Sequence, residues 1–264
     1  MDLGLRERVA IVGGSSKGMG RATALALAKE GASVTICART EADLRKTEID
    51  IARASTQHHV LAVPADLSHV EDIRRVVRST FNRFGRIDVL VNNMGQPPIR
   101  RPSELTDREW DEALELNFYS VVRMSREVIP YMQQQQWGRI VNRLSIPTRQ
   151  SPKHQVVSIS SPMAVVGYAK MLSVEMAPFN VTVNNVLTGP VDTHGLASLY
   201  EAESQAHGHS IGEVMKEVVK DIPIGRLGKP EEVGDLIVFL ASERASYITG
   251  ASIPIDGGST HHAL

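Results

Sequence analysis

The fold is decided by the stretch VAIVGGSSKGMGRATALALA, residues 9–28, which joins a short apolar run to an alanine-rich helical pattern. The segment from Gly13 to Gly20 supplies the glycines that a tight strand-to-helix turn requires. Such a turn brings backbone N–H groups and the positive end of the helix to one point, where a pyrophosphate binds. The stretch therefore predicts a strand–turn–helix unit that holds a dinucleotide. A sharp turn without any ligand is the alternative, since it also demands glycines.

Further along the chain, short apolar runs alternate with longer helical patterns. Strands are predicted at residues 9–12, 33–37, 59–63, 87–91, 139–142, 181–186 and 251–255, and helices at 21–29, 41–54, 70–84, 107–132, 163–176 and 231–240. This alternation predicts an α/β fold of the Rossmann type, doubly wound, with a seven-stranded, mostly parallel sheet and helices on both faces. We expect one domain over residues 1–264, with a lid at about 194–222, where a long stretch carries no strand.

The composition is that of an ordinary globular protein, with 42% hydrophobic and 22% charged residues. The 29 basic side chains nearly balance the 30 acidic ones, so we expect neither nucleic acid nor a membrane surface as a partner. Neither a leader pattern nor a run of about 18 apolar residues is present, and a cytoplasmic location is the simplest expectation. Cys37 is the only cysteine, and its apolar surroundings predict a buried strand thiol.

Several motifs fall in register behind the predicted strands. The glycine spacing Gly14-xxx-Gly18-x-Gly20 is followed by Asp66-Leu67, Asn92-Asn93-Met94-Gly95, Asn117, the segment 189–193, the segment 225–233, and Asp256-Gly257-Gly258. Together these motifs resemble the short-chain dehydrogenase/reductase family, and in particular its 3-oxoacyl-[acyl-carrier-protein] reductases. The likeness covers nearly the whole chain, and it implies hydride transfer to or from a small-molecule carbonyl or alcohol.

The motifs and the charges around them predict a dinucleotide site at the ends of the strands. Its predicted residues are Gly14, Ser16, Lys17, Gly18, Met19, Gly20, Arg39, Thr40, Asp66, Leu67, Asn93, Gly95, Val191 and Thr193. The resemblance implies that Asp66 and Leu67 contact the adenine. It also implies that the segment ending at Thr193 holds the nicotinamide carboxamide.

Charge at the end of the second predicted strand indicates which dinucleotide binds. An NAD site generally places a carboxylate about 20 residues beyond the glycines, where it would repel a 2′-phosphate. Here the strand ends at Arg39 and Thr40, with no acid before Glu41. Arg39 and Lys17 offer charge-assisted contacts to that phosphate, so we expect NADP(H). The alternative is that both are solvated surface cations.

The family that the chain resembles catalyses its reaction with a Ser, a Tyr thirteen residues later and a Lys four residues beyond the Tyr. Ser145 stands where the Ser is expected, and Asn117 matches an Asn that bulges a helix and supports the proton relay. Counting forward from Ser145 and back from Glu175 both reach Ser158 at the Tyr position and Pro162 at the Lys position. A serine hydroxyl is too weakly acidic to replace a phenol, and proline has no ammonium. The sequence thus predicts an atypical active site of Ser145, Asn117 and Ser158.

The local structure around position 158 is expected to differ as well. Ser161 followed by Pro162 is a favourable helix cap and first helical position, so we expect the helix to start there and Ser158 to lie in a Ser-rich loop. Tyr168 and Lys170 cannot replace the missing pair, because Tyr168 lies about 15 Å from position 158 along a helix.

Cations cluster near the expected substrate pocket, at Arg100, Arg101, Arg143, Arg149, Lys153 and His154. They suit an anionic substrate such as a carboxylate or an acyl thioester, and His154 is a candidate proton donor. The alternative is a set of solvated loop charges.

Three functions stay open at this point. The first is an NADP(H)-dependent oxidoreductase with an altered proton relay, in which water, His154 or the substrate supplies the proton. The second is a catalytically impaired family member, either a cofactor-binding partner subunit of a hetero-oligomer or a non-redox enzyme. The third is a nucleotide-sensing module.

We also expect a homo-oligomer, a tetramer. The resemblance implies assembly through the long fourth and fifth helices and the last strand. An apolar face that a monomer would expose is predicted at Val121, Val122, Met124, Val128 and Met132.

Overall fold

The computed structural model of the protein describes residues 2–55, 59–93, 95, 103–145, 156–207 and 210–260. Within them lie seven strands: β1 Val9–Gly13, β2 Ser33–Ala38, β3 Val60–Pro64, β4 Val89–Asn93, β5 Gly138–Ser145, β6 Val181–Thr188 and β7 Ser252–Ile255. They pair in one sheet in the order β3-β2-β1-β4-β5-β6-β7, and every pairing is parallel. The predicted Rossmann-type fold is confirmed, with a sheet that is wholly rather than mostly parallel.

The α-helices of the described residues are α1 Gly18–Lys29, α2 Glu41–Ala54, α3 Val70–Phe84, α4 Asp107–Leu114, α5 Ser120–Gln134, α6 Val156–Met176, α7 His194–His207, α8 Ile211–Lys220 and α9 Pro230–Leu240. A π-helical turn, Glu115–Tyr119, joins α4 to α5. The stretch predicted as a lid holds α7 and α8. None of the helices in the described part of the chain is both long and apolar enough to cross a membrane.

The helices cover both faces of the sheet. On one face α1, α2 and α9 pack around a core that includes Leu27 and Ile237, and on the other α3, α5 and α6 pack around Met124 and Met176. Strands buried on both faces have near-continuous apolar runs, which is why the pattern was readable from the sequence. Cys37 is buried in β2 as predicted, and burial raises the pKa of its thiol to about 12.

Helix α6 begins earlier than its sequence predicts. It starts at Val156, so Ser158 lies in its first turn and not in a loop, and Pro162 stands inside the helix. The Ser161 hydroxyl donates to the Val157 carbonyl at 2.8 Å and does not cap a helix start. The predicted start at Ser161 is therefore wrong. Val157 is fully buried, and the apolar contacts of this turn outweigh the local capping preference and the one backbone donor that proline lacks.

The apolar face that was expected to drive oligomer formation is not exposed. Val122 is partly buried, and the fully buried members are Val121, Met124, Val128 and Met132. This expectation was wrong, because these side chains fill the core of the single chain. Exposed apolar side chains occur instead on α6, where Met163, Met171 and Val174 are 60%, 69% and 62% exposed.

A ladder of buried amides crosses the sheet near its carboxyl edge. Asn92, Asn142 and Asn185 are register partners in β4, β5 and β6. The Nδ2 of Asn92 donates to Asn142 Oδ1 and that of Asn142 to Asn185 Oδ1, both at 2.9 Å, and Asn185 Nδ2 donates to Ser252 Oγ at 3.0 Å. A slip of one residue would leave buried amides unpaired, so the ladder fixes the register of the strand that ends at Ser145.

Candidate functional site

The predicted cofactor residues lie along one edge of the sheet, because the carboxyl ends of parallel strands meet there. Gly14, Ser16, Lys17, Gly18, Met19 and Gly20 follow β1, Arg39 and Thr40 follow β2, Asp66 and Leu67 follow β3, Asn93 ends β4 with Gly95 just beyond, and Val191 and Thr193 follow β6. The strand order reverses at β1, which lies between β2 and β4. A crevice opens outside the strand ends at such a reversal, and dinucleotides bind in it.

The turn after β1 has the shape of a phosphate cradle. Gly14 and Gly18 have φ angles of +56° and +55°, a left-handed conformation that favours glycine. A Cβ atom at Gly20 would lie 2.3 Å from the Gly14 carbonyl oxygen, so any larger residue would push the turn open. The Ser15 N–H donates to the Cys37 carbonyl at 3.2 Å and holds the turn against β2.

The N-terminus of α1 is suited to an anion. Its N-cap residue, Lys17, is extended and makes no side-chain cap, and its first turn carries no acidic residue. By contrast, the first turn of α2 carries Glu41 and Asp43. The uncapped N–H groups and the helix dipole therefore point at the cradle without a negative side chain to compete. The residues present fit a pyrophosphate.

Side chains from three other strand ends meet this turn. Asn93 Nδ2 donates to the Gly14 carbonyl at 3.0 Å. A Cβ at Gly18 would lie 3.3 Å from Thr193 Cγ2, and one at Gly13 would lie 3.1 Å from Leu67 Cδ1. The structure therefore brings the segments after β3, β4 and β6 against the glycine turn.

The charges near the end of β2 are more balanced than the sequence indicated. Lys17 Nζ lies 2.8 Å from Asp43 Oδ2, and this hydrogen bond holds the pKa of the Asp43 carboxyl below its ordinary value. Sequence reasoning missed Asp43, although an acid in the first turn of the helix after β2 was a visible signal. Arg39 is exposed beyond the end of β2. A 2′-phosphate contacting Lys17 would therefore have to compete with a carboxylate.

Asp66, which the resemblance places at the adenine, accepts hydrogen bonds from Ser68 of the turn that follows it. Burial raises the pKa of its carboxyl, but hydrogen bonds from the Ser68 N–H and Oγ–H outweigh it. The positive charges of Arg39 and His69 act in the same direction, so the pKa lies below its ordinary value. The carboxylate is thus charged, and its Oδ1 accepts both hydrogen bonds from Ser68.

The predicted catalytic residues come from three different elements. Ser145 ends β5, half-buried and in register with Thr188 of β6. Asn117 lies buried in the π-helical turn and donates from Nδ2 to the Ala113 carbonyl at 3.0 Å. Ser158 lies in the first turn of α6. The helix bulge that the resemblance implied at Asn117 is present, and such π-turns occur frequently at functional sites.

Tyr168 and Lys170 make contacts elsewhere. Tyr168 packs against the core between the sheet and helices α3, α5 and α6, where burial raises the pKa of its phenol. Lys170 Nζ donates to the Gly250 carbonyl at 3.4 Å. Neither side chain is directed by these contacts toward the glycine turn.

The proposed cation cluster is only partly described. Its members Arg100, Arg101, Arg149, Lys153 and His154 lie outside the described residues, as does Met94 of the motif Asn92-Asn93-Met94-Gly95. Arg143 is described, and it is buried beside Asn93, with Nε donating to Asn93 Oδ1 at 2.8 Å. Among the residues that the structure describes, no group of three or more His, Cys, Asp or Glu side chains is arranged to hold a metal ion.

Comparisons with known proteins agree with the fold. A family model described as enoyl-(acyl carrier protein) reductase matches residues 14–260. The chain is 35% identical to the short-chain reductase protein NovJ of Streptomyces niveus, over 96% of this chain and 94% of that protein. It is 33% identical to the 3-oxoacyl-[acyl-carrier-protein] reductase FabG of Aquifex aeolicus, over 98% and 99%. L-Sorbose reductase from Gluconobacter frateurii, solved with NADPH and L-sorbose, aligns with a TM-score of 0.92 at 31% identity, over 98% of both chains.

The fold, the glycine turn and these similarities define an oxidoreductase of the Rossmann type. The chain belongs to the short-chain dehydrogenase/reductase family. The resemblance noted from the motifs is thereby confirmed, and the chain is similar to 3-oxoacyl-[acyl-carrier-protein] reductases over almost its full length.

Proposed function

We propose that the protein transfers a hydride between NADP(H) and a carbonyl or alcohol substrate. The observation that carries this proposal is the phosphate cradle of Gly14, Gly18 and Gly20 at the uncapped start of α1. Arg39, beyond the end of β2, supports the phosphorylated dinucleotide over NAD(H), and a similar reductase was solved with NADPH. The cofactor supplies the hydride when bound, and the chain holds it and orients the substrate.

The proposed roles of the chain's own residues follow from their places in the fold. Ser145 donates its hydroxyl proton in a hydrogen bond to the substrate oxygen, and the π-turn around Asn117 supports proton delivery. Ser158 does not act as the acid, because its hydroxyl is far less acidic than a phenol. Water, His154 or the substrate therefore supplies the proton. The loss of a positioned acid typically costs about 10²- to 10⁴-fold in rate, so we expect slow turnover of generic ketones.

Titration calorimetry tests the cofactor proposal. We expect NADPH to bind at least about tenfold more tightly than NADH, the effect of one charge-assisted contact. Arg39→Met should remove most of that preference, while Asp43→Asn should increase it by releasing Lys17 from its ion pair. Equal affinities for the two dinucleotides in the wild-type protein would contradict the proposal of NADP(H).

NADPH oxidation with a panel of carbonyl compounds tests the chemistry. The panel pairs a neutral β-keto ester with the corresponding carboxylate and with a 3-oxoacyl thioester, since an anionic substrate is proposed. Ser145→Ala should lower turnover at unchanged NADPH affinity. Ser160→Ala is the matched control, because the Ser160 hydroxyl donates to the Val156 carbonyl of its own helix at 2.9 Å. Equal loss in both variants would contradict the role of Ser145.

Ser158 and Pro162, at the positions of the family's Tyr and Lys, favour a second candidate. The protein could retain the cofactor and have lost redox chemistry, either as a partner subunit of an active relative or as a non-redox enzyme. Tight NADPH binding without oxidation by any carbonyl in the panel would establish this second candidate. The single domain over residues 1–264, a lid formed by α7 and α8, and a cytoplasmic location stay predictions.

The proposed homo-oligomer now rests on the exposed face of α6. Met163, Gly167, Met171 and Val174 recur every three to four residues on that helix and form one exposed stripe. A Cβ at Gly167 would meet nothing within 4 Å in the single chain, which leaves room for a neighbouring helix. Light scattering should give a tetramer, and Met171→Glu should lower the mass. Ile211→Glu on α8 is the matched control, and a monomeric wild-type protein would contradict the proposal.

A further inference from the structure

Arg143 is a buried cation close to the dinucleotide cradle. It lies on β5 two residues before Ser145, so both side chains leave the same face of the sheet. Its register partner on β4 is Asn93. The side chain is 8% exposed, and burial lowers the pKa of its guanidinium to about 10, which still leaves it charged at neutral pH.

A chain of hydrogen bonds joins this guanidinium to the glycine turn. Arg143 Nε donates to Asn93 Oδ1 at 2.8 Å, and Asn93 Nδ2 donates to the Gly14 carbonyl at 3.0 Å. Asn93 Nδ2 also lies 2.6 Å from where a Cβ of Gly20 would stand. The cation is therefore tied to the same backbone turn that fits the pyrophosphate.

The strand order indicates which half of the dinucleotide lies above Arg143. The residues implied for the adenine half follow β2 and β3, on one side of β1. The strand order reverses between β1 and β4, and dinucleotides bind across the crevice at such a reversal. β5 lies beyond β4, on the far side from β2 and β3, so Arg143 lies on the side of the cleft opposite the residues implied for the adenine half.

We propose that the Arg143 guanidinium binds the nicotinamide half of the dinucleotide, through its pyrophosphate oxygens and adjacent ribose. This contact supplies from β5 a positive charge that Pro162, at the position of the family's Lys on α6, cannot supply. Guanidinium groups bind phosphate with paired, charge-assisted hydrogen bonds, and burial strengthens such bonds. The inference rests on the proposed dinucleotide-binding function.

Calorimetric titration with NADPH and with 2′,5′-ADP, which carries only the adenine half, separates this role from others. Arg143→Met should lower the affinity for NADPH by roughly 10- to 100-fold and leave the affinity for 2′,5′-ADP unchanged. Arg143→Lys, which keeps the charge but not the paired donors, should recover part of the loss. Arg39→Met is the matched control, and it should weaken both ligands because Arg39 lies at the adenine side.

Each other outcome has a defined meaning. If Arg143→Met weakens both ligands equally, the residue only supports the glycine turn, and the inference is wrong. If NADPH affinity is unchanged and only the KM of carboxylate substrates rises, Arg143 binds substrate, and the inference is also wrong. If Arg143→Met does not fold, Arg143→Lys tests the inference instead. It should lower the affinity for NADPH by about 3- to 10-fold and leave the affinity for 2′,5′-ADP unchanged. If the wild-type protein binds neither ligand, the proposed function itself fails.

Discussion

Replacement of Gly20 by alanine tests whether the glycine turn is the centre of the site. A Cβ at this position would lie 2.3 Å from the Gly14 carbonyl oxygen and 2.6 Å from Asn93 Nδ2. An ordinary contact between carbon and oxygen is about 3.3 Å, so the methyl group would be about 1 Å too close. Both neighbours are backbone or hydrogen-bonded groups, so the turn itself must move.

The expected cost follows from two contributions. Overpacking of a well-packed site costs about 1–3 kcal/mol, and loss of the hydrogen bond between Asn93 and Gly14 adds about 1 kcal/mol. A total of about 2–4 kcal/mol corresponds to a fall in Tm of about 4–16 °C for a chain of this size. Displacement of the Gly18 to Gly20 N–H groups removes two or more bonds to phosphate, so NADPH should bind at least about 100-fold more weakly.

Scanning calorimetry and NADPH titration measure the two effects together. Gly212→Ala on α8 is the matched control, because a Cβ there meets only Ser210 Oγ, at 4.0 Å. It should leave Tm and NADPH affinity nearly unchanged. Wild-type NADPH affinity in Gly20→Ala would refute the reasoning that this turn holds the pyrophosphate, whatever happened to Tm.

Three further predictions concern reactivity and stability. With its thiol pKa raised to about 12, Cys37 should resist an aromatic disulfide reagent at pH 8 in the native protein and react fully in urea. The Glu232 carboxyl has its pKa lowered to about 2 by its hydrogen bond with Arg226 and the Lys229 N–H. The wild-type protein should therefore exceed Glu232→Gln in urea stability above about pH 5, and this excess should vanish as the pH falls toward 2. Glu243→Gln, which leaves buried Arg139 of β5 without the Glu243 carboxylate that lies 3.6 Å from its Nη2, should cost about 1–3 kcal/mol in urea unfolding. The exposed control Glu217→Gln should cost less than about 0.5 kcal/mol.

The five inner strands, β1, β2, β4, β5 and β6, were predictable because their residues are buried on both faces. Each predicted strand overlaps an observed one, and only the ends differ, as where β5 continues from Asn142 to Ser145. The end of a strand depends on its neighbours. β5 extends because β6 runs beside it to Thr188, and the pairing of Ser145 with Thr188 involves residues far apart in the chain.

Helix α6 and the apolar side of α5 show where local reasoning fails. Ser161 and Pro162 have strong local preferences for a helix start, but buried Val157 extends α6 backward. Likewise, the apolar pattern of α5 correctly indicates a buried face. Only packing decides that the face meets the sheet of its own chain and not a neighbouring copy.

The sequence by itself determined the order of strands and helices, the glycine turn and the family, because each depends on residues close together in the chain or on motifs at fixed spacings. Only the tertiary structure decided which charges meet. The pairing of Lys17 with Asp43 and the contact of Arg143 with Asn93 join residues 26 and 50 positions apart. Electrostatic energy depends on distance and burial, and neither is defined until parallel strands have brought their carboxyl ends to one edge.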